Sequence, residues 1–142
     1  MIFYNCGVMS GASQQHKHIQ LMMVGKDSKV PLSISDMEEI YGPRYFYLFP
    51  NNPRDDELLK CWHDSYAKLM SYVESGCSTN ILFTKKWMLV VPRKQLGFYE
   101  WNPNSLIFVG YLLSRSDEET KMIKELGPLN IIKSLGCIND QK

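Results

Sequence analysis

The sequence lacks most of the patterns that mark specialised classes of protein. Its four cysteines include no Cys-x-x-Cys pair, so neither a zinc ribbon nor a disulfide framework is predicted. Its longest apolar run, Leu106 to Leu113, is too short to span a bilayer, and the net charge of +1 lacks the basic excess of nucleic-acid-binding domains. We therefore expect a cytoplasmic protein, with the nucleus as the alternative compartment, that binds neither membrane nor nucleic acid.

What the sequence has instead is the composition of an ordinary folded domain. Hydrophobic residues make up 44% and charged residues 22% of the 142 residues, which supplies enough apolar surface for one buried core. No internal repeat or low-complexity segment divides the chain. A single domain over residues 1–142 is therefore predicted.

The most informative stretch runs from Ser10 to Leu21. It begins with small residues whose backbone N–H groups can approach a ligand closely, and Gly11 can adopt a positive φ. It continues in a polar and apolar alternation typical of a strand, which places His16, His18 and Gln20 on one face. Three nitrogen-bearing side chains in a row suit a phosphate better than a core.

The residue types also suggest a reaction. A neutral imidazole is a nucleophile at neutral pH, and a glutamine amide can donate to a phosphoryl oxygen without losing a proton.

Two alternative interpretations of the histidines stay open from the residues alone. Alternate histidines on a strand can share a Zn²⁺ or Cu²⁺ ion, although no cysteine or carboxylate lies close in sequence to complete such a site. The histidines could also simply face solvent.

The motif resembles a known family. The string Gly-Ala-Ser-Gln-x-His-Lys-His-x-Gln over residues 11–20 is similar to that of the diadenosine tetraphosphate phosphorylases, also called ATP adenylyltransferases. These belong to the transferase branch of the histidine-triad superfamily, in which a glutamine replaces the third histidine. The resemblance implies that His18 attacks the α-phosphate and becomes adenylylated, with His16 as the second catalytic residue. Inorganic phosphate then accepts the adenylyl group.

The resemblance also implies a set of binding residues. Around the motif, Gln20 would bind phosphate and Asn5 would contact the nucleotide, and the phosphate loop would be formed by Gly11, Ala12, Ser13 and Gln14. A Trp-containing strand that ends in Val-Pro-Arg, followed by an Asn-Ser turn, also resembles the family. It implies a second group of nucleotide contacts at Asn104, Ser105, Leu106, Tyr111 and Arg115. The family usually has Met and Lys at the last two positions, and Arg keeps the charge of Lys but not its geometry. No metal site is implied and no cofactor is firmly implied, although Mg²⁺ could accompany the nucleotide.

Periodicity and breakers predict an α+β fold, and the resemblance implies a histidine-triad-like, mainly antiparallel sheet with packed helices. The predicted strands are Ile2–Cys6, His16–Val24, the hairpin Asn80–Thr84 and Trp87–Pro92, and Leu106–Leu113. The predicted helices are Asp55–Gly76, one that starts at Ser116–Glu119 and is broken by Gly127 and Pro128, and Leu129–Leu135. The start at Ser116–Glu119 is typical of a Ser or Asp N-cap followed by acidic first-turn residues. Two basic corners of the hairpin, Lys85 with Lys86 and Arg93 with Lys94, are either candidates for phosphate contacts or simply solvated ends of the hairpin.

The family is about twice as long as this chain, which resembles only its C-terminal half. The N-terminal half supplies further strands, so we expect an exposed sheet edge that a homodimer or another partner covers. The predicted reaction is phosphorolysis of diadenosine tetraphosphate to ATP and ADP. The alternatives are a catalytically impaired nucleotide-binding remnant, which the short length favours, and a dinucleoside polyphosphate hydrolase, against which Gln20 argues.

Overall fold

The computed structural model describes residues 1–12, 18–23, 30–50 and 53–139 of the protein. Within these ranges five strands form one sheet, and four α-helices and two 3₁₀ helices surround it. The strands are β1 (Ile2–Cys6), β2 (Ile19–Leu21), β3 (Phe46–Leu48), β4 (Thr79–Phe83) and β5 (Trp87–Pro92). The helices are α1 (Ile34–Tyr45), α2 (Asp55–Met70), α3 (Asp117–Leu126) and α4 (Pro128–Leu135), with 3₁₀ helices at Val8–Ser10 and Ser105–Val109.

The sheet is antiparallel throughout, with the strand order β2-β1-β4-β5-β3. β1 therefore lies between β2 and β4. Phe3 of β1 is opposite Gln20 of β2, and Asn5 of β1 is opposite Asn80 of β4. This arrangement confirms the predicted α+β class and places the polar residues of three distant segments at one end of the sheet.

Two apolar cores lie on the two faces of the sheet. The larger core contains Phe3, Leu89 and Val91 and is closed by α1, α4 and the second 3₁₀ helix. The smaller core contains Met88 and Val90 and is closed by α2, which lies across β3 and β5. Because side chains alternate between the faces of a strand, β5 is buried from Trp87 to Pro92, as its continuous apolar sequence predicts.

The predicted strand over Leu106–Leu113 is wrong. Its first part is the 3₁₀ helix Ser105–Val109, which ends at Gly110, a residue in the left-handed region with φ 93°. The Asn104 side chain caps this helix by accepting a hydrogen bond from the backbone N–H of Leu106 at 3.0 Å. All five residues of the helix are buried, and a short run that is buried on every side has no periodicity to separate strand from helix.

The other elements that were predicted differ from the structure mainly in their ends, whereas β3 was not predicted. α2 ends at Met70 rather than at Gly76. β2 covers Ile19–Leu21 of the predicted strand His16–Val24, of which residues 16, 17 and 24 lie outside the described residues. The predicted cap of α3 is confirmed, because the Ser116 hydroxyl accepts from the backbone N–H of Glu119 at 3.2 Å. None of the helices in the described ranges combines the length and the apolar character needed to cross a bilayer.

β2 is an edge strand of the sheet and contains Gln20 of the motif. The face of β2 opposite Gln20, here called its outer face, is apolar and exposed. Ile19 is 68% exposed and Leu21 is 74% exposed, on the opposite face from Gln20 because side chains alternate along the strand. Among the described residues, β2 pairs only with β1. This matches the expectation of an exposed sheet edge.

Candidate functional site

A cleft of about 290 Å³ lies at the end of the sheet where β1 and β2 meet the segment after β5. It is lined by Asn5, Gly11, Gln20, Trp101, Asn102, Pro103, Asn104, Tyr111, Leu113 and Arg115. Trp101, Tyr111 and Leu113 give it an apolar side, and the amides of Asn5, Gln20 and Asn104 give it a polar side. This combination suits a ligand that is aromatic at one end and anionic at the other.

The structure brings together most of the residues that were predicted to bind nucleotide. Asn5, Gly11, Gln20, Asn104, Tyr111 and Arg115 all line the cleft, although they come from both ends of the chain. Ser105 and Leu106 lie behind the wall, buried to 0% and 8% exposure. Ala12 is exposed at the end of the described loop. Ser13, Gln14 and His16 lie outside the described residues.

His18, the predicted nucleophile, lies immediately before β2 and is exposed to solvent. It is not among the described residues that line the cleft.

Asn5 is held in a fixed orientation by its side-chain oxygen. That oxygen accepts from the Asn80 amide at 2.8 Å, from the Ser105 backbone N–H at 2.9 Å and from the Ser105 hydroxyl at 2.5 Å. Among the described residues, nothing accepts a hydrogen bond from the NH₂ group of Asn5, so this group can donate to a ligand. Asn104 is arranged in the same way, because its oxygen caps the 3₁₀ helix. The wall of the cleft therefore presents amide donors, which suit a phosphate.

The central residue of this network, Asn80, was not predicted. It is fully buried in β4, and its amide also approaches the Ser10 carbonyl at 2.8 Å and the Ser105 hydroxyl at 2.9 Å. Its place at the start of the apolar run Ile81-Leu82-Phe83, within a predicted strand, was the signal that could have identified it, since a buried amide needs partners.

Gly11 permits a close approach between the loop and the opposite wall. Its φ is 72°, a positive value that glycine adopts readily. A Cβ atom at this position would collide with the Pro103 carbonyl group and would lie 3.1 Å from the Asn104 Cα atom. No larger residue fits here without moving the Pro103–Asn104 segment.

Arg115 lines the cleft and forms an ion pair with Glu119. Its guanidinium binds Glu119 of α3 through Nε at 3.0 Å and through Nη2 at 2.6 Å, and Nη2 also donates to the Glu100 carbonyl. The paired Arg115 lowers the pKa of the Glu119 carboxyl group. Part of the positive charge that was predicted to meet the nucleotide is thus already neutralised by the protein.

Arg93 corrects a second prediction. Its expected place was an exposed basic corner beside Lys94, but it is buried to 4% exposure, while Lys94 is exposed. Its Nη1 atom donates to the Asn80 side-chain oxygen and to the Pro103 carbonyl, each at 3.3 Å. Arg93 therefore supports the cleft from behind and does not form part of a solvated corner.

A second cavity, of about 400 Å³, lies between α1, α4 and the segment after the second 3₁₀ helix. Its walls are apolar, and its charged lining residues are Asp36 and Glu39. Carboxylates repel phosphate, so this cavity does not suit a nucleotide. In the described part of the chain, no group of three or more His, Cys, Asp or Glu side chains could hold a metal ion.

Comparison with known proteins identifies the family. Residues 38–138 match the ATP adenylyltransferase C-terminal domain, and residues 1–37 match the Ap4A phosphorylase N-terminal domain. The chain belongs to the Ap4A phosphorylase family. The boundary between the two matches falls inside α1, and the single sheet of this family member contains strands from both sides of it.

Curated relatives and solved structures agree with this assignment. Diadenosine 5',5'''-P1,P4-tetraphosphate phosphorylase 2 of Saccharomyces cerevisiae is 27% identical over an alignment 165 positions long, which covers 95% of this chain and 50% of the relative. The crystal structure of yeast Ap4A phosphorylase Apa2 in complex with Ap4A superposes with a TM-score of 0.69 at 26% identity, covering 99% of this chain and 55% of that one. The complex of Apa2 with AMP gives a TM-score of 0.65, also at 26% identity. This chain thus spans about half the length of the relatives it matches.

Proposed function

We propose that this chain binds an adenine nucleotide in the cleft and transfers the adenylyl group of diadenosine tetraphosphate to phosphate. The observation that carries the proposal is the pair of oriented amides, Asn5 and Asn104, with Gln20 beside them on a cleft that has an apolar side. Family membership supports it, because relatives with this fold are Ap4A phosphorylases. One of them, Apa2, has been solved in complex with Ap4A and also in complex with AMP.

The proposed reaction has two steps. A ring nitrogen of His18 attacks the α-phosphorus, a P–N bond forms, the P–O bond to the triphosphate breaks, and ATP leaves. A phosphate oxygen then attacks the same phosphorus, the P–N bond breaks, and ADP leaves with the imidazole neutral again. His16 assists the first step. Mg²⁺ would arrive with the polyphosphate, since the described residues offer no cluster of ligands for it.

Gln20 favours phosphate over water as the acceptor. A histidine at this position could take a proton from water, whereas an amide does not titrate near neutral pH. Phosphate is already ionised at that pH and needs no base. This is the physical reason to prefer phosphorolysis to hydrolysis.

The size of the cleft limits how much of the substrate it holds. A volume of about 290 Å³ is near the lower end of the ~300–1,000 Å³ typical of ligand pockets. One nucleotide unit fits, and the second nucleoside of diadenosine tetraphosphate extends past the rim. Further contacts with that second nucleoside can come from the part of the relatives that this chain does not match.

Mass spectrometry of the intact protein tests the proposal. Protein mixed with diadenosine tetraphosphate in the absence of phosphate should gain one adenylyl group and release ATP, and added phosphate should then discharge it as ADP. His18→Ala should abolish the adduct. His63→Ala is the matched control, because His63 is an exposed histidine on α2 that should have no effect. An adduct on another residue contradicts the mechanism, and AMP as the main product supports the hydrolase alternative.

We also propose that a second copy of the chain covers the exposed edge, by antiparallel pairing of β2 with β2. The exposed Ile19 and Leu21 side chains motivate this assignment.

We also propose that the protein is cytoplasmic, with the nucleus as the alternative compartment. None of its four cysteines, all of which the structure describes, forms a disulfide, and this supports a reducing compartment.

A further inference from the structure

Arg93 is a buried positive charge without a carboxylate partner among the described residues. Its hydrogen-bond acceptors in the described part of the chain are all neutral. Nε donates to the Gln95 carbonyl at 3.0 Å, Nη2 donates to the Leu96 carbonyl, and Nη1 is shared between Asn80 and Pro103. Desolvation lowers its pKa to about 10, so the side chain stays charged at neutral pH.

An unpaired buried charge is costly, and it is seldom retained without a compensating role. Structural requirements alone do not explain a charge here, since neutral donors could satisfy the same carbonyl groups. The neighbouring Phe108 ring, with its centroid 5.4 Å from the guanidinium carbon, adds a favourable contact but no negative charge. The positive charge is therefore available to act outside its own pocket.

The position of Arg93 shows where that charge acts. Pro103, to which it donates, lines the cleft. Asn80, to which it also donates, holds the oxygen of Asn5, another lining residue. Arg93 thus contacts the wall directly at Pro103 and is separated from Asn5 by one residue, Asn80, on the side where the amide donors are.

We propose that Arg93 is a positioning residue for the phosphate chain of the nucleotide, which it attracts through the wall of the cleft without touching it. The inference rests on the proposed nucleotide binding and deepens it. A buried charge is screened by salt much less than an exposed one. Its attraction should therefore grow with each phosphate of the ligand and should survive moderate salt.

Calorimetry with adenosine, AMP, ADP and ATP tests the inference on the full chain. In Arg93→Met, the adenosine affinity should change less than about twofold, and the ATP affinity should fall about tenfold or more, with AMP and ADP between them. Arg93→Lys keeps the charge and should preserve the ratio of ATP to adenosine affinity within about threefold. If Arg93→Met loses its cooperative thermal transition, Arg93→Gln, which keeps an amide donor, takes its place.

Lys94→Met is the matched control, because Lys94 is the adjacent residue and is exposed. Its effect on ATP affinity should be about twofold and should vanish at ~0.5 M salt, where most of the Arg93 effect persists. An equal loss of adenosine and ATP affinity in the neutral Arg93 variant would show a purely structural role and overturn the inference. A loss of the ATP to adenosine ratio in Arg93→Lys would also overturn it. Wild-type protein that binds none of the four ligands would instead contradict the proposed function.

Discussion

The side-chain oxygen of Asn5 accepts two hydrogen bonds from Ser105, one from its backbone N–H at 2.9 Å and one from its hydroxyl at 2.5 Å. Asn5 belongs to β1, and Ser105 opens the 3₁₀ helix on the opposite wall of the cleft. The Ser105 hydroxyl also lies 3.2 Å from the Tyr4 carbonyl. This one serine therefore joins the two walls and sets the direction in which the Asn5 amide points.

Ser105→Ala should lower the free energy of unfolding by about 1–2 kcal/mol, because it leaves buried polar partners unsatisfied. It should also weaken nucleotide binding, since Asn5 loses one of the donors that orient it. Urea unfolding and calorimetry measure the two effects. Ser134→Ala, which removes an exposed hydroxyl bonded to a helix carbonyl, should change stability by less than about 0.5 kcal/mol. Equal costs at the two sites would contradict the role of Ser105.

Two glycines offer a matched test of the close contact between the loop at Gly11 and the Pro103–Asn104 segment. Gly11 and Gly76 have similar φ values, 72° and 81°, but a Cβ atom at Gly76 meets nothing within 4 Å. Gly76→Ala should cost about 1 kcal/mol for the left-handed backbone alone. Gly11→Ala adds the collision with Pro103 and should cost about 2–4 kcal/mol. Thermal unfolding compares them, and only Gly11→Ala should abolish nucleotide binding.

Replacing Gln20 by His should change the product of the reaction. An imidazole can accept a proton from water, so water should compete with phosphate for the adenylyl group. The fraction of AMP should rise and that of ADP should fall, as measured by chromatography of the products from diadenosine tetraphosphate in the presence of phosphate. Gln20→Asn, which does not titrate either, is the control. An unchanged product ratio in Gln20→His would show that this position does not select the acceptor.

The exposed edge predicts an effect on self-association. Leu21→Lys puts a charge on the outer face of β2 and should shift the protein from dimer to monomer in sedimentation velocity experiments. Leu59→Lys is the matched control, because Leu59 on α2 is also 74% exposed. It should leave the oligomeric state unchanged. A wild-type protein that remains monomeric at high concentration would contradict pairing between copies.

Acid should destabilise the protein, and Glu119 should account for part of the loss. Its hydrogen bonds to Arg115 lower its pKa in the folded state below the ordinary value of 4.5. This stabilisation is present above pH 4.5 and disappears as the pH falls through the folded-state pKa. The Tm of Glu119→Gln should therefore drop less than that of the wild type between pH 6 and pH 3. Parallel curves in differential scanning calorimetry would show that the ion pair contributes nothing.

The elements that the sequence predicts well are those with local signals. α2 follows from apolar residues at three- and four-residue spacing, and the cap of α3 follows from Ser116 and the acidic residues after it. The β4–β5 hairpin follows from two apolar runs around Lys85 and Lys86. Each signal is contained within one stretch of chain, so it does not depend on what packs against it.

The residues that escaped prediction are those whose state is decided by distant partners. Arg93 and Lys94 are adjacent and similar in sequence, yet only Arg93 is buried, because carbonyl groups of Gln95, Leu96 and Pro103 converge on it. Asn80 is buried because Asn5 and Ser105 meet there from opposite ends of the chain. Tertiary contacts of this kind leave no periodic trace in the sequence.

The position of β1 in the sheet also determines the order in which the parts of the site can form during synthesis. β1 is synthesised before its neighbour β4, which begins some seventy residues later. At ~5–20 residues per second, β1 waits roughly 4–15 seconds for that neighbour. Ser105 arrives later still, and until then the Asn5 oxygen bonds to water. A nascent chain therefore has no nucleotide site, and any ligand that depends on these amides distinguishes finished molecules from those still being made.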